Sequence, residues 1–235
     1  MPRTLIAVLL AVLLTGCVSM PYETNENPLQ AFQQVKPHSI LVLPVVNNSV
    51  DVMAGDSVLT TLPKLLGERG YYVFPVNTVK TLLEYEGFSD AQEIHSAPTE
   101  KLVSLFHADS VLYVTIYSWT AQYLVVSTTT QVDLEYVIKD ANGNVIFSDR
   151  RLVEYTPRDN STGDFWSDLV SSAITAAIER AAPHYLPLTR EANAQAFLYN
   201  RYPLPPGPYH PSYDQYYLDV EAKAAAETAG QYLNP

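Results

Sequence analysis

The hydrophobic period changes several times along the chain, and each change marks an element. Ser39-Ile-Leu-Val-Leu-Pro-Val-Val46 is an almost continuous apolar run of strand length. It predicts a central strand covered on both faces, with Pro44 near its end. Asn47-Asn48-Ser49 then supplies turn-forming side chains. Val58, Leu62, Leu65 and Leu66 recur at helical spacing, predicting a helix from about Asp56 to Glu68 that Pro63 bends or restarts. Gly67 and Gly70 stop it before a short strand over Tyr71 to Pro75. Val79, Leu82 and Leu83 stripe the next helix, which Gly87 ends. Thr99-Glu100 opens another that runs through Leu102, Val103, Leu105 and Phe106.

From Asp109 the period becomes two. Val111, Tyr113, Thr115, Tyr117 and Trp119 share one strand face, and Leu112, Val114, Ile116 and Ser118 the other. A second strand from about Tyr123 to Lys139 turns Val132, Leu134, Tyr136 and Ile138 inward and Asp133, Glu135 and Lys139 outward. Asp140-Ala-Asn-Gly143 signals a hairpin, and Val145 to Val153 returns as the third strand of an antiparallel meander. Ser161-Thr-Gly-Asp164 opens a final helix with an apolar stripe from Trp166 to Ala181. The fold class is α/β: a mixed β-sheet of five or six strands packed with helices, its first two strands parallel through a right-handed crossover. Residues 38–182 form one domain, because neither a repeat nor a shift of composition interrupts them.

The two ends read differently. A basic start, Met1 to Arg3, precedes an apolar run from Leu5 to Leu14 that is about 15 Å long as a helix, short of the roughly 20 residues a membrane span needs. Residues 1–16 are therefore a signal peptide. Leu14-Thr15-Gly16-Cys17 resembles the lipobox of bacterial lipoproteins, and that resemblance implies cleavage before Cys17, a diacylglyceryl thioether on its thiol and a further acyl chain on its amine. Two or three such chains, palmitate among them, hold a protein durably on a membrane. Val18 after the lipidated cysteine favours the outer membrane by the sorting rules of such proteins. Residues 17–37, polar and lacking a sustained period, read as a flexible tether.

Residues 183–235 hold eight of the 17 prolines and eight of the 17 tyrosines, which makes them a Pro/Tyr-rich extension that either packs on its own domain or on a partner. Val220 to Ala229 has the composition of a short terminal helix. Candidate partner-binding residues are Asn47 and Asn48 after the first strand, with Tyr202, Tyr209, Tyr213, Tyr216 and Tyr217 in the extension. The aromatic run Tyr113, Tyr117, Trp119, Tyr123 is either core, as alternation predicts, or an interface groove.

Chemistry narrows the reading further. A formal charge of −11 repels phosphate backbones, so no nucleic-acid partner is expected. The only cysteine is taken by lipid, and the histidines at 38, 95, 107, 184 and 210 have no metal-binding spacing, so neither a cofactor nor a catalytic site is expected. His107-Ala-Asp109 reads as a turn, and Asp133 with Glu135 as a solvated or partner-facing strand surface.

At Ile40-Leu-Val-Leu-Pro-Val-Val-Asn-Asn-Ser49, with the lipobox, Tyr71-Tyr72-Val73-Phe74-Pro75, Ala108-Asp109 and Leu112-Tyr113-Val114, the chain resembles the DUF799 family of bacterial lipoproteins. The resemblance implies a domain like the N-terminal domain of TolB and the periplasmic part of CsgG-type lipoproteins. It implies partnership with a CsgG-like lipoprotein and another small lipoprotein in an envelope secretion or assembly complex, with homo-oligomers open. The alternative is a TolB-domain lipoprotein activator of peptidoglycan synthesis. Either way the protein is expected on the periplasmic face of the outer membrane, without enzymatic activity.

Overall fold

The computed structural model describes residues 27–124, 127–156 and 185–233. The signal peptide, Cys17 and the helix expected over residues 161–181 lie outside the described residues. One six-stranded sheet organises the rest: β1 (Ser39–Val42), β2 (Val46–Asn47), β3 (Tyr72–Val73), β4 (Ser110–Leu124), β5 (Ser127–Asp140) and β6 (Val145–Tyr155). Its order is β3-β1-β4-β5-β6, with β2 also on β4. β3 and β4 flank β1 in parallel, β2 continues the β1 line along β4, and β4, β5 and β6 form the antiparallel meander. Pro44 removes a backbone donor between β1 and β2, which divides one expected strand into two.

Helices cover both faces. On one side lie α1 (Gln30–Val35), α2 (Ala54–Leu59), α3 (Leu62–Glu68) and α7 (Tyr185–Phe197), around Ile40, Val42, Leu112, Ile116, Leu134, Tyr136 and Ile138. On the other, α4 (Val76–Tyr85), α5 (Ala91–Ser96) and α6 (Thr99–Phe106) cover Leu41, Leu43, Val111 and Tyr113. A last helix, α8, spans Tyr213–Leu233. The helix expected over 56–68 is two: Pro63 sits in the first turn of α3, where its missing N–H costs no intrahelical bond. The Thr60 and Thr61 hydroxyls bond back to Ser57 O and Val58 O at the break.

Three sequence expectations change. First, β4 has a bulge at Tyr117: Ile116 pairs with Leu134 and Ser118 with Asp133, leaving Tyr117 unpaired. The extra residue flips the alternation beyond it. Trp119 therefore leaves the face of Val111 and Tyr113 and joins that of Leu112, Val114 and Ile116, while Tyr117 is exposed. β4 also runs on to Leu124, past the expected break before Tyr123.

Second, the flexible tether does not extend to residue 37, because α1 forms there and Phe32 lies fully inside the core. Third, the domain does not close at residue 182. Helix α7 lays Leu188, Ala192, Ala196 and Phe197 on the sheet, and Leu204 is buried beyond it.

The turns follow side-chain chemistry. Asp140 Oδ1 accepts from the Asn142 and Asn144 amides, and only Gly143 in that turn takes positive φ, +81°. At the other junction His107 ends α6 in the left-handed region, and Asp109 Oδ2 accepts from His38 N, Ser39 N and Ser39 Oγ within 3.0 Å. That carboxylate fixes where β1 starts beside β4.

Candidate docking loop

The loop after β2 is assembled by two residues. Asn47 Oδ1 accepts from Ser49 N and Ser49 Oγ, and Asn47 Nδ2 donates to Asp51 O at 2.8 Å. Asp51 Oδ1 accepts from Met53 N, and Asp51 Oδ2 accepts from Trp119 Nε1 at 3.2 Å. Trp119 is buried and stacks on Tyr185 with ring centroids 4.7 Å apart. The Asn48 side chain is exposed, while its backbone N–H donates to Ile116 O.

This scaffold holds three large apolar side chains in water. Val50, Val52 and Met53 are 97%, 87% and 61% exposed. Scattered exposed hydrophobics are ordinary, but three within four residues on a hydrogen-bonded loop make a patch that a partner can cover. Their backbone is already ordered, so binding loses less entropy there than on a loose loop. The sequence reading chose Asn47 and Asn48 and missed these three. Its available signal was Val50-Asp-Val-Met53, an apolar cluster directly after a turn.

The tyrosines lie elsewhere. β1 and β3 are in register at Ser39 and Tyr72, so the β3 start lies at the opposite end of the β1–β2 line from Asn47. There the extension docks on its own domain. Arg69 Nε donates to Leu204 O, the Tyr71 hydroxyl to Pro205 O, Gly207 N to Arg69 O and Tyr209 N to Gly70 O. Burial pushes the Tyr71 hydroxyl well above its usual pKa and lowers that of Arg69.

Tyr217 is buried, with Lys36 Nζ 4.5 Å from its ring centre and Tyr213 packed against it; burial raises its pKa as well. Tyr216 accepts from Gln33 Nε2 at 2.8 Å. Of the five chosen tyrosines, Tyr213, Tyr216 and Tyr217 thus fasten α8 to the domain, whereas Tyr202 and Tyr209 keep exposed rings. Asn47 and Asn48 share no surface with any of them.

The open face of the meander holds the outward carboxylates. Asp133 accepts two bonds from Arg150, and Glu135 accepts from Tyr117, whose ring lies 3.9 Å from the Arg150 guanidinium carbon. Each is a partner in a surface network of ion pair and hydrogen bonds. Among the described residues no cluster of His, Cys, Asp or Glu is arranged to hold a metal, and no helix is long and apolar enough to cross a membrane.

Comparison with known proteins gives these features a family. Residues 29–203 match the GNA1162-like lipoproteins, a span that starts at buried Leu29 and ends just before Leu204. The chain is 31% identical over 153 residues to lipoprotein NMB1124/NMB1162 of Neisseria meningitidis, covering 65% of this chain and 69% of that one. The crystal structure of lipoprotein GNA1162 from Neisseria meningitidis is 30% identical with a TM-score of 0.50, covering 62% of this chain and 99% of that one. The C-terminal domain of LpoB from Salmonella enterica is more distant, 18% identical with a TM-score of 0.37, over 54% of this chain and 93% of that one. The chain belongs to the GNA1162-like family of bacterial lipoproteins and is a lipid-anchored protein of the outer membrane that faces the periplasm.

Proposed function

We propose that the protein is a docking subunit that binds a peptidoglycan synthase through the loop of Val50, Val52 and Met53 and regulates it, on a domain of the TolB N-terminal kind. The preorganised apolar loop carries this reading, since it is surface whose burial needs a second protein. An activator needs one docking surface. The second reading is an accessory component of a CsgG-like envelope secretion or assembly complex, in which the same loop meets a CsgG-like lipoprotein.

The anchor proposed at Cys17 sets the geometry. Nine residues separate Cys17 from Asn27, where the described fold begins, and the ten residue steps between them reach at most about 35 Å. The domain then works close to the outer membrane, and the synthase has to come to it. Cys17→Ser should abolish labelling by a clickable fatty acid; label that persists on the variant excludes Cys17 as the attachment point.

A photocrosslinking residue placed at Val52 in living cells tests the partner. Capture of a peptidoglycan synthase, lost on Met53→Asp, is the expected outcome. Capture of CsgG-like subunits alone overturns it in favour of the second reading.

A further inference from the structure

Two depressions of about 460 and 820 Å³ adjoin, sharing Leu29, Arg201 and Tyr202. Both volumes lie in the range of small-molecule sites. The larger runs between α1 and α8, and the smaller lies over β6 beside Tyr199. Neither is used by the protein contacts proposed above.

The lining has a distinct chemistry. Tyr202, on the shared wall, is 37% exposed, and Tyr199, beside the smaller depression, is 76% exposed. Gln30 and Gln34 are exposed on the α1 side of the larger depression, and their amides can donate and accept together. Arg201 stands over the Tyr202 ring at 5.3 Å and makes no ion pair among the described residues.

In the smaller depression Arg151 spends its Nη2 on Asp149, while its buried Nε–H has no hydrogen-bond partner among the described residues. Asp149 Oδ2 also accepts from Asn200, which leaves that carboxylate engaged and the guanidinium edge short of an acceptor.

Aromatic faces, paired amides and guanidinium groups together match one ligand chemistry. Pyranose rings pack their C–H faces on tyrosine, their vicinal hydroxyls suit amides, and carboxylate substituents suit arginine. The two joined depressions suit an extended chain of sugars rather than a single ring.

We infer that this groove binds a carboxylate-bearing oligosaccharide across Tyr202, with Arg201 and Arg151 taking the acidic groups. Two sources carry that chemistry in the periplasm: cell-wall glycan with its lactyl and peptide carboxylates, and an exported uronic-acid polymer. The lipidated full chain in nanodiscs is titrated calorimetrically with a disaccharide muropeptide, with trigalacturonate and with neutral chitotetraose.

Saturable binding of either acidic probe, weakened about tenfold or more by Tyr202→Ala and by Arg201→Gln, is the expected result. The control Tyr85→Ser, on the outer face of α4, should bind as the unmodified protein does. The acidic probe that binds identifies the source. Equal binding of chitotetraose overturns the carboxylate role, and the absence of binding by both acidic probes, or binding indifferent to both groove substitutions, overturns the site. Neither result bears on the docking loop, whose crosslinking assay is read separately.

Discussion

Trp119 donates its indole N–H to Asp51 across 68 positions of sequence, and that bond couples the exposed apolar loop to the core stack of Trp119 on Tyr185. Trp119→Phe keeps an aromatic ring on Tyr185 and removes the donor. The bond ends on a carboxylate, so its loss should cost about 1.5–3 kcal/mol. Hydrogen exchange at the Ser49 and Met53 amides should rise more than at the β4–β5 amides. An equal rise everywhere would mean that the indole supports the fold at large and does not specifically hold the loop.

Gly207 lies against the backbone of Gly70, and a Cβ added there would meet Tyr71 Cδ1 at 2.9 Å and the Gly70 carbonyl closer still. The Gly70 backbone cannot swing aside as a flexible side chain does. Gly207→Ala should lift the extension and weaken the bonds to Arg69 O and Gly70 O, lowering the denaturation midpoint and opening residues 204–217 to protease. Leu204→Ala, which leaves a cavity in place of a fully buried side chain, should cost about 2–5 kcal/mol. Unchanged stability in both variants would show that the extension adds nothing to the domain.

A buried polar chain links sheet and helices. Tyr136 donates to Asn193 Oδ1 at 2.7 Å, Asn193 Nδ2 donates to Thr61 Oγ1 at 2.8 Å, and Thr61 donates to Val58 O. Tyr136→Phe leaves the Asn193 oxygen without its donor and should cost about 1–3 kcal/mol in urea unfolding. Adding Asn193→Leu should recover part of that loss, since the orphaned acceptor goes with it. A double variant that is worse by the sum of the single losses would contradict coupling through this bond.

His95 supplies the pH dependence. Burial lowers its pKa below the usual 6.5, opposed by the hydrogen bond its Nε2–H donates to Pro44 O, with Lys139 lowering it further. The native state thus holds the neutral ring, and the unfolded chain binds the proton more readily. This contribution to stability is complete above about pH 6.5 and is lost as pH falls through the lowered native value. Denaturation midpoints should drop on acidification below that point, and His95→Gln should flatten the drop. An unchanged slope in the variant would assign the acid sensitivity to other groups.

The local elements were legible because they depend on neighbours in sequence. Alternation over Val132 to Ile138 marks an inward face whichever strands lie beside it, and those four positions are fully buried. Gly70, Gly87 and Gly143 mark stops and turns in the sequence, and all three adopt positive φ, which few other residues tolerate. The mixed sheet, its parallel first pair and the meander followed from the order of these elements.

Only the tertiary structure decided the rest, because burial and exposure depend on what distant segments cover. A single unpaired residue, Tyr117, moves Trp119 to the opposite face, and the two-residue period contains no mark of it. Phe32, in a stretch too short and polar to announce a helix, enters the core because β6 and the C-terminal extension offer it a place. Val50, Val52 and Met53 have the composition of core residues and become surface because no described segment returns over the end of β2. The sequence determined where the chain turns and which faces are apolar; long-range packing determined which of those faces is left for a partner.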